Sequence, residues 1–157
     1  MSVDRDYVLG TDEQEMARLG LQHLVWRPQM LAAWRRARIT RGSRVLDIGA
    51  GPGYATADLG EIVGPQGEVL GLERSARFVA AARRRCAQRG LTNTRIDEVD
   101  LMADAHAATG FDAAWCRRVD SSFADAVESE LDLAERDPST IMITPLVLEI
   151  IAERQHA

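Results

Sequence analysis

The fold of this chain is decided by the stretch Arg44-Val45-Leu46-Asp47-Ile48-Gly49-Ala50-Gly51-Pro52-Gly53-Tyr54. An apolar segment typical of a buried strand leads into glycines at alternate positions, and a helical pattern follows at once. Glycine has no Cβ, so the backbone can turn tightly there and a ligand can approach it closely. The helix that follows begins with unpaired N–H groups, which favour an anionic ligand group. The stretch therefore predicts a strand, a loop and a helix that bind a nucleoside cofactor.

A second signal lies twenty residues after Gly53, where the apolar segment Val69-Leu70-Gly71-Leu72 ends in Glu73. Nucleotide-binding α/β folds place at this distance the carboxylate that accepts hydrogen bonds from ribose hydroxyls. A glycine cluster alone could be a simple turn between a strand and a helix. The acid in register with the cluster favours a ligand site over a simple turn.

The glycine spacing narrows the choice of cofactor. The dinucleotide fingerprint G-x-G-x-x-G needs its third glycine at position 54, where the chain has Tyr54. The observed D-I-G-A-G-P-G, with Asp47 two residues before the first glycine, resembles the first motif of the class I S-adenosylmethionine-dependent methyltransferases. An NAD-binding oxidoreductase domain is the alternative, and a cofactor-binding module without its own turnover is another.

The resemblance implies a Rossmann-like α/β fold and methyl transfer from S-adenosylmethionine to an unidentified small-molecule acceptor. It also implies a set of cofactor-binding residues, namely Asp47, Gly49, Ala50, Gly51, Gly53, Glu73, Arg74, Asp100, Leu101 and Arg117. In that family Glu73 would hold the ribose, Asp100 and Leu101 would lie beside adenine, and Arg117 would follow the fourth strand. Asp100 could equally be a solvated acid at a strand end. No catalytic residue is assigned, because the sulfonium is already activated and the protein mainly has to align the acceptor and exclude water.

Composition limits the class of protein. The 157 residues are 46% hydrophobic and 27% charged, which is ordinary for one globular domain. No apolar run is long enough to cross a bilayer and no leader pattern precedes the domain, so we expect a cytoplasmic protein with no membrane role. Cys86 and Cys116 lack metal-ligand spacing and lie in apolar contexts, so we expect reduced core residues and no metal site.

Charge is unevenly distributed along the chain. Residues 1–90 carry fourteen Arg against ten acids, a balance of +4, whereas residues 91–157 carry five Arg against fourteen acids, a balance of −9. The run Arg83-Arg84-Arg85 has no interleaved aromatics and lies on a helix with an apolar opposite face, so we interpret it as a solvated helix face. With a net charge of −5, we expect no nucleic-acid partner.

The chain is predicted to form a single domain with a helical cap (1–41), a cofactor-binding core (42–117) and an acidic helix with a terminal strand (118–157). The cap pattern predicts one helix over 13–20 and another from Pro28 to just before Arg41. In the core, predicted strands at 44–48, 68–73, 94–100 and 111–116 alternate with helices at 54–63 and 76–89, the latter capped by Gly90. This alternation predicts a parallel sheet with the ligand at the carboxyl ends of its strands.

The resemblance ends after Arg117. The family would continue with a helix, a turn, a fifth strand and an antiparallel pair, but here an acidic helix near 122–136 leads directly to an apolar run at 140–152. This run resembles the family's terminal antiparallel strand, with a short strand followed by a helix from Pro145 as the alternative. The chain thus resembles a member that lacks an internal segment, or one joined across a gap. We expect a poor enzyme whose open sheet edge is covered by this strand or by a second copy.

Overall fold

The computed structural model describes residues 13–100, 110–116, 141–143 and 151–152. These residues form the helices α1 (Glu13–Arg36), α2 (Tyr54–Val63) and α3 (Ala76–Gln88) and the strands β1 (Arg44–Ile48), β2 (Glu68–Glu73), β3 (Thr94–Glu98), β4 (Ala113–Cys116), β5 (Ile141–Ile143) and β6 (Ile151–Ala152). The sheet order is β3-β2-β1-β4-β5-β6, and β1 to β5 pair in parallel. The predicted Rossmann-like α/β fold is confirmed.

The strand order determines where a ligand can bind. β1 lies between β2 and β4, and its last residue Ile48 is opposite both Leu72 and Cys116. The order of the chain therefore reverses at β1, and the carboxyl ends of β1 and β4 form the switch point at which open α/β sheets bind ligands. The glycine-rich loop between β1 and α2 begins at this point.

Burial on both sheet faces explains the nearly continuous apolar strands. On one face, Ala57 of α2 packs with Val79 and Ala82 of α3 over the sheet. On the other face, Leu70 and Leu72 cluster with neighbouring apolar side chains, including Phe111. A parallel strand covered on both sides has no polar face, so its sequence does not alternate.

α1 is one continuous helix, so the prediction of two separate helices, over 13–20 and from Pro28 onward, is wrong. Proline removes one helical hydrogen bond, to the carbonyl of Leu24, but both residues are exposed and water can bond to that carbonyl. Beyond the proline, Met30 and Trp34 are buried in the core, and the Trp34 ring meets that of Trp115 edge to face at 5.1 Å. This packing outweighs the local preference of the sequence for a break.

Other predicted boundaries shift by a few residues. β3 ends at Glu98, not at residue 100, and β4 begins at Ala113, two residues later than predicted. Gly90 has a φ of +69°, as its predicted capping position requires.

Within the strand predicted at 140–152 the structure describes two short strands, and residues 144–150 between them lie outside the described residues. β5 pairs in parallel with β4 and covers its edge, and β6 pairs antiparallel with β5 over two residues. The predicted antiparallel terminal strand is longer than β6 and stays a prediction. The predicted acidic helix at 122–136 lies outside the described residues.

Candidate functional site

The glycines of the loop between β1 and α2 adopt a conformation that other residues avoid. The φ angles of Gly49, Gly51 and Gly53 are +70°, +55° and +80°. A Cβ at Gly53 would lie 2.6 Å from Cβ of Ala82, so Gly53 lets the start of α2 pack closely on α3. A Cβ at Gly51 would meet no atom within 4 Å. Gly51 therefore faces open space, and this space is where a ligand can approach the backbone.

The N–H groups of this loop all bond within the protein. Those of Gly49 and Ala50 donate to the carbonyl of Leu72 at 2.9 and 3.0 Å, and that of Gly53 donates to the carbonyl of Ala50 at 3.1 Å. The N–H of Gly51 donates to Glu73, and Pro52 has none. The anionic ligand group expected from the sequence would therefore find no free donor in residues 49–53. The first N–H groups of α2, where the sequence places that anionic group, lie beyond these residues.

Glu73 ends β2 and is only 8% exposed. Its Oε2 accepts the N–H of Gly51 at 2.8 Å and its Oε1 accepts the N–H of Ser75 at 2.9 Å. Burial raises the pKa of Glu73 above its ordinary value, although the backbone hydrogen bonds act in the opposite direction. The backbone of Arg74 also hydrogen-bonds this carboxylate, and the four acceptor sites of its two oxygens leave capacity for a ribose hydroxyl. Glu73 thus fixes the loop as well as offering the predicted ribose acceptor.

Asp47, near the end of β1, is hydrogen-bonded to the first turn of α2 beside the loop. The side chain is 2% exposed and accepts a hydrogen bond from the hydroxyl of Thr56, which is itself fully buried. Cys116 of β4 is also buried, which raises the pKa of its thiol to about 12, with the negative charge of Asp47 contributing. The structure thus gives Asp47 a positioning role under the cofactor loop. Cys86 and Cys116 are both free and buried, as expected.

The other predicted cofactor residues fall in three groups. Ala50 is buried beside Gly71, where an added Cβ would come within 3.1 Å of the Ala50 side chain. Arg74 and Asp100 are exposed, and Asp100 follows Val99, whose N–H donates to the Glu73 carbonyl at 2.9 Å. Leu101 and Arg117 lie outside the described residues. The pairing of β1 with β2 therefore brings the loop and Glu73 together, with Asp100 one strand away.

Tyr54, the first residue of α2, forms a cluster that the sequence did not reveal. The guanidinium carbon of Arg85 lies 3.5 Å from the centroid of the Tyr54 ring, and Nε of Arg85 donates to the Pro52 carbonyl at 3.0 Å. The Tyr54 hydroxyl donates to the Met16 carbonyl at 3.2 Å, and the ring of His23 stacks at 5.5 Å. The interpretation of Arg85 as part of a solvated face is wrong, because three consecutive helical residues point in different directions.

A buried ion cluster lies one turn further along α2. Asp58, 2% exposed, accepts from Nε2 of His23 at 3.0 Å, from Nε of Arg27 at 2.6 Å and from Nη1 of Arg89 at 2.7 Å. These donors hold the pKa of Asp58 well below its usual range, although burial alone would raise it. A surface cavity of about 410 Å³ adjoins the cluster. The cluster joins α1 to α2 and to Arg89 at the end of α3.

The described part of the chain contains neither a candidate metal cluster nor a membrane-spanning helix. No group of three or more His, Cys, Asp or Glu side chains in that part of the chain could hold a metal ion. None of the helices found there has the length and apolar character to cross a membrane.

The strand order and the loop geometry define the Rossmann-like fold of the class I S-adenosylmethionine-dependent methyltransferases, as the resemblance implied. Residues 3–119 match the family described as protein-L-isoaspartate(D-aspartate) O-methyltransferase, and the chain belongs to this family. S-adenosylmethionine is therefore the cofactor to which the site corresponds. The open space at Gly51 and the remaining lone pairs of Glu73 fit its ribose and methionine portion.

Curated relatives carry more than one methyltransferase activity. The chain is 36% identical over 119 residues to a protein-L-isoaspartate O-methyltransferase of Methylorubrum extorquens, covering 72% of this chain and 48% of that protein. It is 34% identical over 79 residues to the enzyme of that name in Ignicoccus hospitalis, covering 50% and 37%. A demethylmenaquinone methyltransferase of Geobacillus kaustophilus is 35% identical over 75 residues, covering 48% and 31%. The chain thus spans between 31% and 48% of these relatives' lengths.

Solved structures agree on the fold. A protein-L-isoaspartate O-methyltransferase has a TM-score of 0.51 and 26% identity, covering 56% of this chain and 28% of that one. A methyltransferase from Aquifex aeolicus has a TM-score of 0.59 at 20% identity, covering 74% and 62%. The [4+2]-cyclase SpnF has a TM-score of 0.54 at 26% identity, covering 64% and 37%. A cyclase on the same fold shows that fold alone does not fix the reaction.

Proposed function

We propose that this chain is the cofactor-binding part of an S-adenosylmethionine-dependent methyltransferase whose acceptor is a carboxylate of the isoaspartyl type. The observation that supports cofactor binding is the Gly51 loop, which bonds its own N–H groups and leaves open space next to the Glu73 carboxylate. The family match over residues 3–119 supports the acceptor class.

The chemistry of a carboxylate acceptor suits the described residues. One carboxylate oxygen forms a bond to the sulfonium methyl carbon while the carbon–sulfur bond breaks and its electron pair stays on sulfur. The products are a methyl ester and S-adenosylhomocysteine, and no proton is transferred. A carboxylate is already ionised at neutral pH, so alignment of the two reactants is the main requirement. The buried acids near the loop, Asp47 and Glu73, both bond to neighbouring groups and have no need to act as a base.

Two measurements test the proposal. Calorimetry with S-adenosylhomocysteine measures binding to the 157-residue chain, and Gly51→Val is the matched negative control. Methyl transfer is then followed by mass spectrometry with an isoaspartyl peptide and with the same peptide containing ordinary aspartate. Methylation of the isoaspartyl peptide alone supports the proposal, whereas equal methylation of both peptides contradicts the acceptor assignment.

A small-molecule acceptor is the second candidate, and it is favoured by the similarity to demethylmenaquinone methyltransferases. A short-chain demethylmenaquinone in the same assay distinguishes it. Binding of S-adenosylhomocysteine without transfer to any of these acceptors would favour a cofactor-binding module, which fits a chain that spans less than half of its relatives.

A further inference from the structure

Tyr54 joins three parts of the structure at the end of the cofactor loop. Its backbone begins α2 directly after Gly53, its hydroxyl contacts α1 at the Met16 carbonyl, and its ring lies against Arg85 of α3. Arg85 also donates to the carbonyl of Pro52, which lies between the two glycines that end the loop. The loop backbone is therefore tied to two helices through one aromatic side chain and one guanidinium group.

We propose that Tyr54 is a positioning residue that transmits the packing of α1 to the cofactor loop, with Arg85 as its anchor on α3. The inference rests on the cofactor binding proposed above and adds a positioning contact to that site. Neither side chain has to touch the cofactor for this role.

The expected effect on cofactor affinity comes from the conformational entropy of the glycine-rich loop. Glycine gains more conformational entropy than any other residue when it is released, so a loop with three glycines loses order easily. Apparent affinity falls in proportion to the fraction of molecules in which the loop is competent to bind. Contacts that hold Pro52 and Tyr54 raise this fraction before the cofactor arrives.

Gly20 shows how closely α1 fits this side chain. A Cβ at Gly20 would lie 2.5 Å from the hydroxyl oxygen of Tyr54 and 2.9 Å from its Cζ. The ring cannot retreat freely, because Arg85 lies 3.5 Å from its centroid. A single methyl group on α1 would therefore displace Tyr54 without changing any residue of the loop.

Gly20→Ala separates this role from a merely structural one, because the two roles predict different effects on cofactor affinity. Alanine is the better helix former, so a structural effect in α1 alone raises the unfolding temperature and leaves cofactor affinity unchanged. Displacement of Tyr54 weakens S-adenosylhomocysteine binding, and we expect about a tenfold increase in Kd, the scale of one aromatic–cation contact. In a Tyr54→Leu background the same substitution should change the Kd little, because the clash is gone.

Arg85→Met provides the second test, since it keeps the aliphatic stem and removes the charged donor. We expect a similar loss of affinity, together with faster hydrogen exchange in a peptide covering residues 49–54. Arg84→Met, an exposed neighbour on the same helix, is the matched control and should bind like the parent.

The outcomes are distinct. If the parent binds S-adenosylhomocysteine and both Gly20→Ala and Arg85→Met bind it equally well, the positioning role is overturned. If Gly20→Ala lowers the unfolding temperature, its weaker binding does not separate the two roles. Weaker binding and faster exchange of residues 49–54 in Arg85→Met then support the positioning role, and parent-like values overturn it. A parent that binds no S-adenosylhomocysteine contradicts the proposed function itself, and this inference with it.

Discussion

Replacing Glu73 by glutamine tests the centre of the site with the smallest change in shape. Both oxygens of the carboxylate accept backbone N–H groups, from Gly51 at 2.8 Å and from Ser75 at 2.9 Å. An amide has one oxygen, so its NH2 group must face one of these donors and leave it unpaired. Loss of a charged hydrogen bond costs about 1.5–3 kcal/mol. Relief of the buried charge offsets part of this, so we expect unfolding to be easier by about 1–2 kcal/mol.

The same substitution should weaken cofactor binding more than folding. The ribose hydroxyls lose a charged acceptor, which corresponds to about 2 kcal/mol, or roughly thirtyfold in the Kd for S-adenosylhomocysteine. Calorimetry gives the Kd and urea unfolding gives the stability. Glu68→Gln is the matched control, because Glu68 begins the same strand and forms an exposed ion pair with Arg44. If Glu73→Gln binds as tightly as the parent, Glu73 does not hold the ribose.

Because the pKa of Glu73 is raised, protein stability and cofactor affinity should change with pH in opposite directions. The folded protein holds this proton more tightly than the unfolded chain, whose glutamate has a pKa of about 4.3. The stability contributed by Glu73 is therefore full below that value and is lost as pH rises through the raised pKa. Cofactor affinity should instead fall as pH drops through the raised pKa, because protonation removes an acceptor. Glu73→Gln should show neither trend.

Three further tests follow from the packing. Gly51→Ala should lower the free energy of unfolding by about 1–2 kcal/mol because of its positive φ, and it should remove most of the cofactor affinity. Gly53→Ala should lower the free energy of unfolding by about 1–3 kcal/mol more, because its Cβ clashes with α3. Urea unfolding and calorimetry distinguish the two variants, and equal stability would contradict the packing argument. Asp58→Asn should lower the free energy of unfolding, measured in urea, by about 2–4 kcal/mol, a range reduced because its arginine partners are partly exposed. The control Glu61→Gln, at an exposed position, should lower it by less than about 1 kcal/mol. The stability contributed by Asp58 should be lost as pH falls below about 3.9. Cys116, with its pKa raised to about 12, should resist iodoacetamide in the folded protein and react after unfolding; rapid alkylation of the folded chain would show that the thiol is accessible.

The sequence predicts those parts of the fold that local patterns determine. The bounds of β1, α2 and β2 agree with prediction to the residue, because the glycines and the apolar strands specify them without help from distant parts of the chain. The break predicted at Pro28 was wrong, since core packing beyond the proline holds α1 together. The spacing predicts a ribose-binding role for Glu73, which stays a prediction, whereas the bond of Glu73 to Gly51 depends on strand register.

The contacts around Tyr54 and Asp58 were beyond sequence reasoning. The hydroxyl of Tyr54 reaches a carbonyl 38 residues away in the chain, and Arg27 reaches Asp58 across 31 residues. Such pairs depend on how three helices pack on one another, and no periodicity in a single helix specifies that packing. The one signal in the sequence is that Asp58 lies between the apolar residues Ala57 and Leu59, where a buried carboxylate needs a partner.

The composition of β3 has a consequence for assembly. β3 forms one end of the sheet, and such a strand offers unpaired backbone groups to any other extended chain. Here Arg95 and Asp97 form an ion pair at 3.2 Å along this strand, and Glu98 follows, so an incoming strand would have to displace solvated charges. Charged edges resist templated aggregation. Among the described strands, extension of the sheet by a second copy is therefore disfavoured at β3.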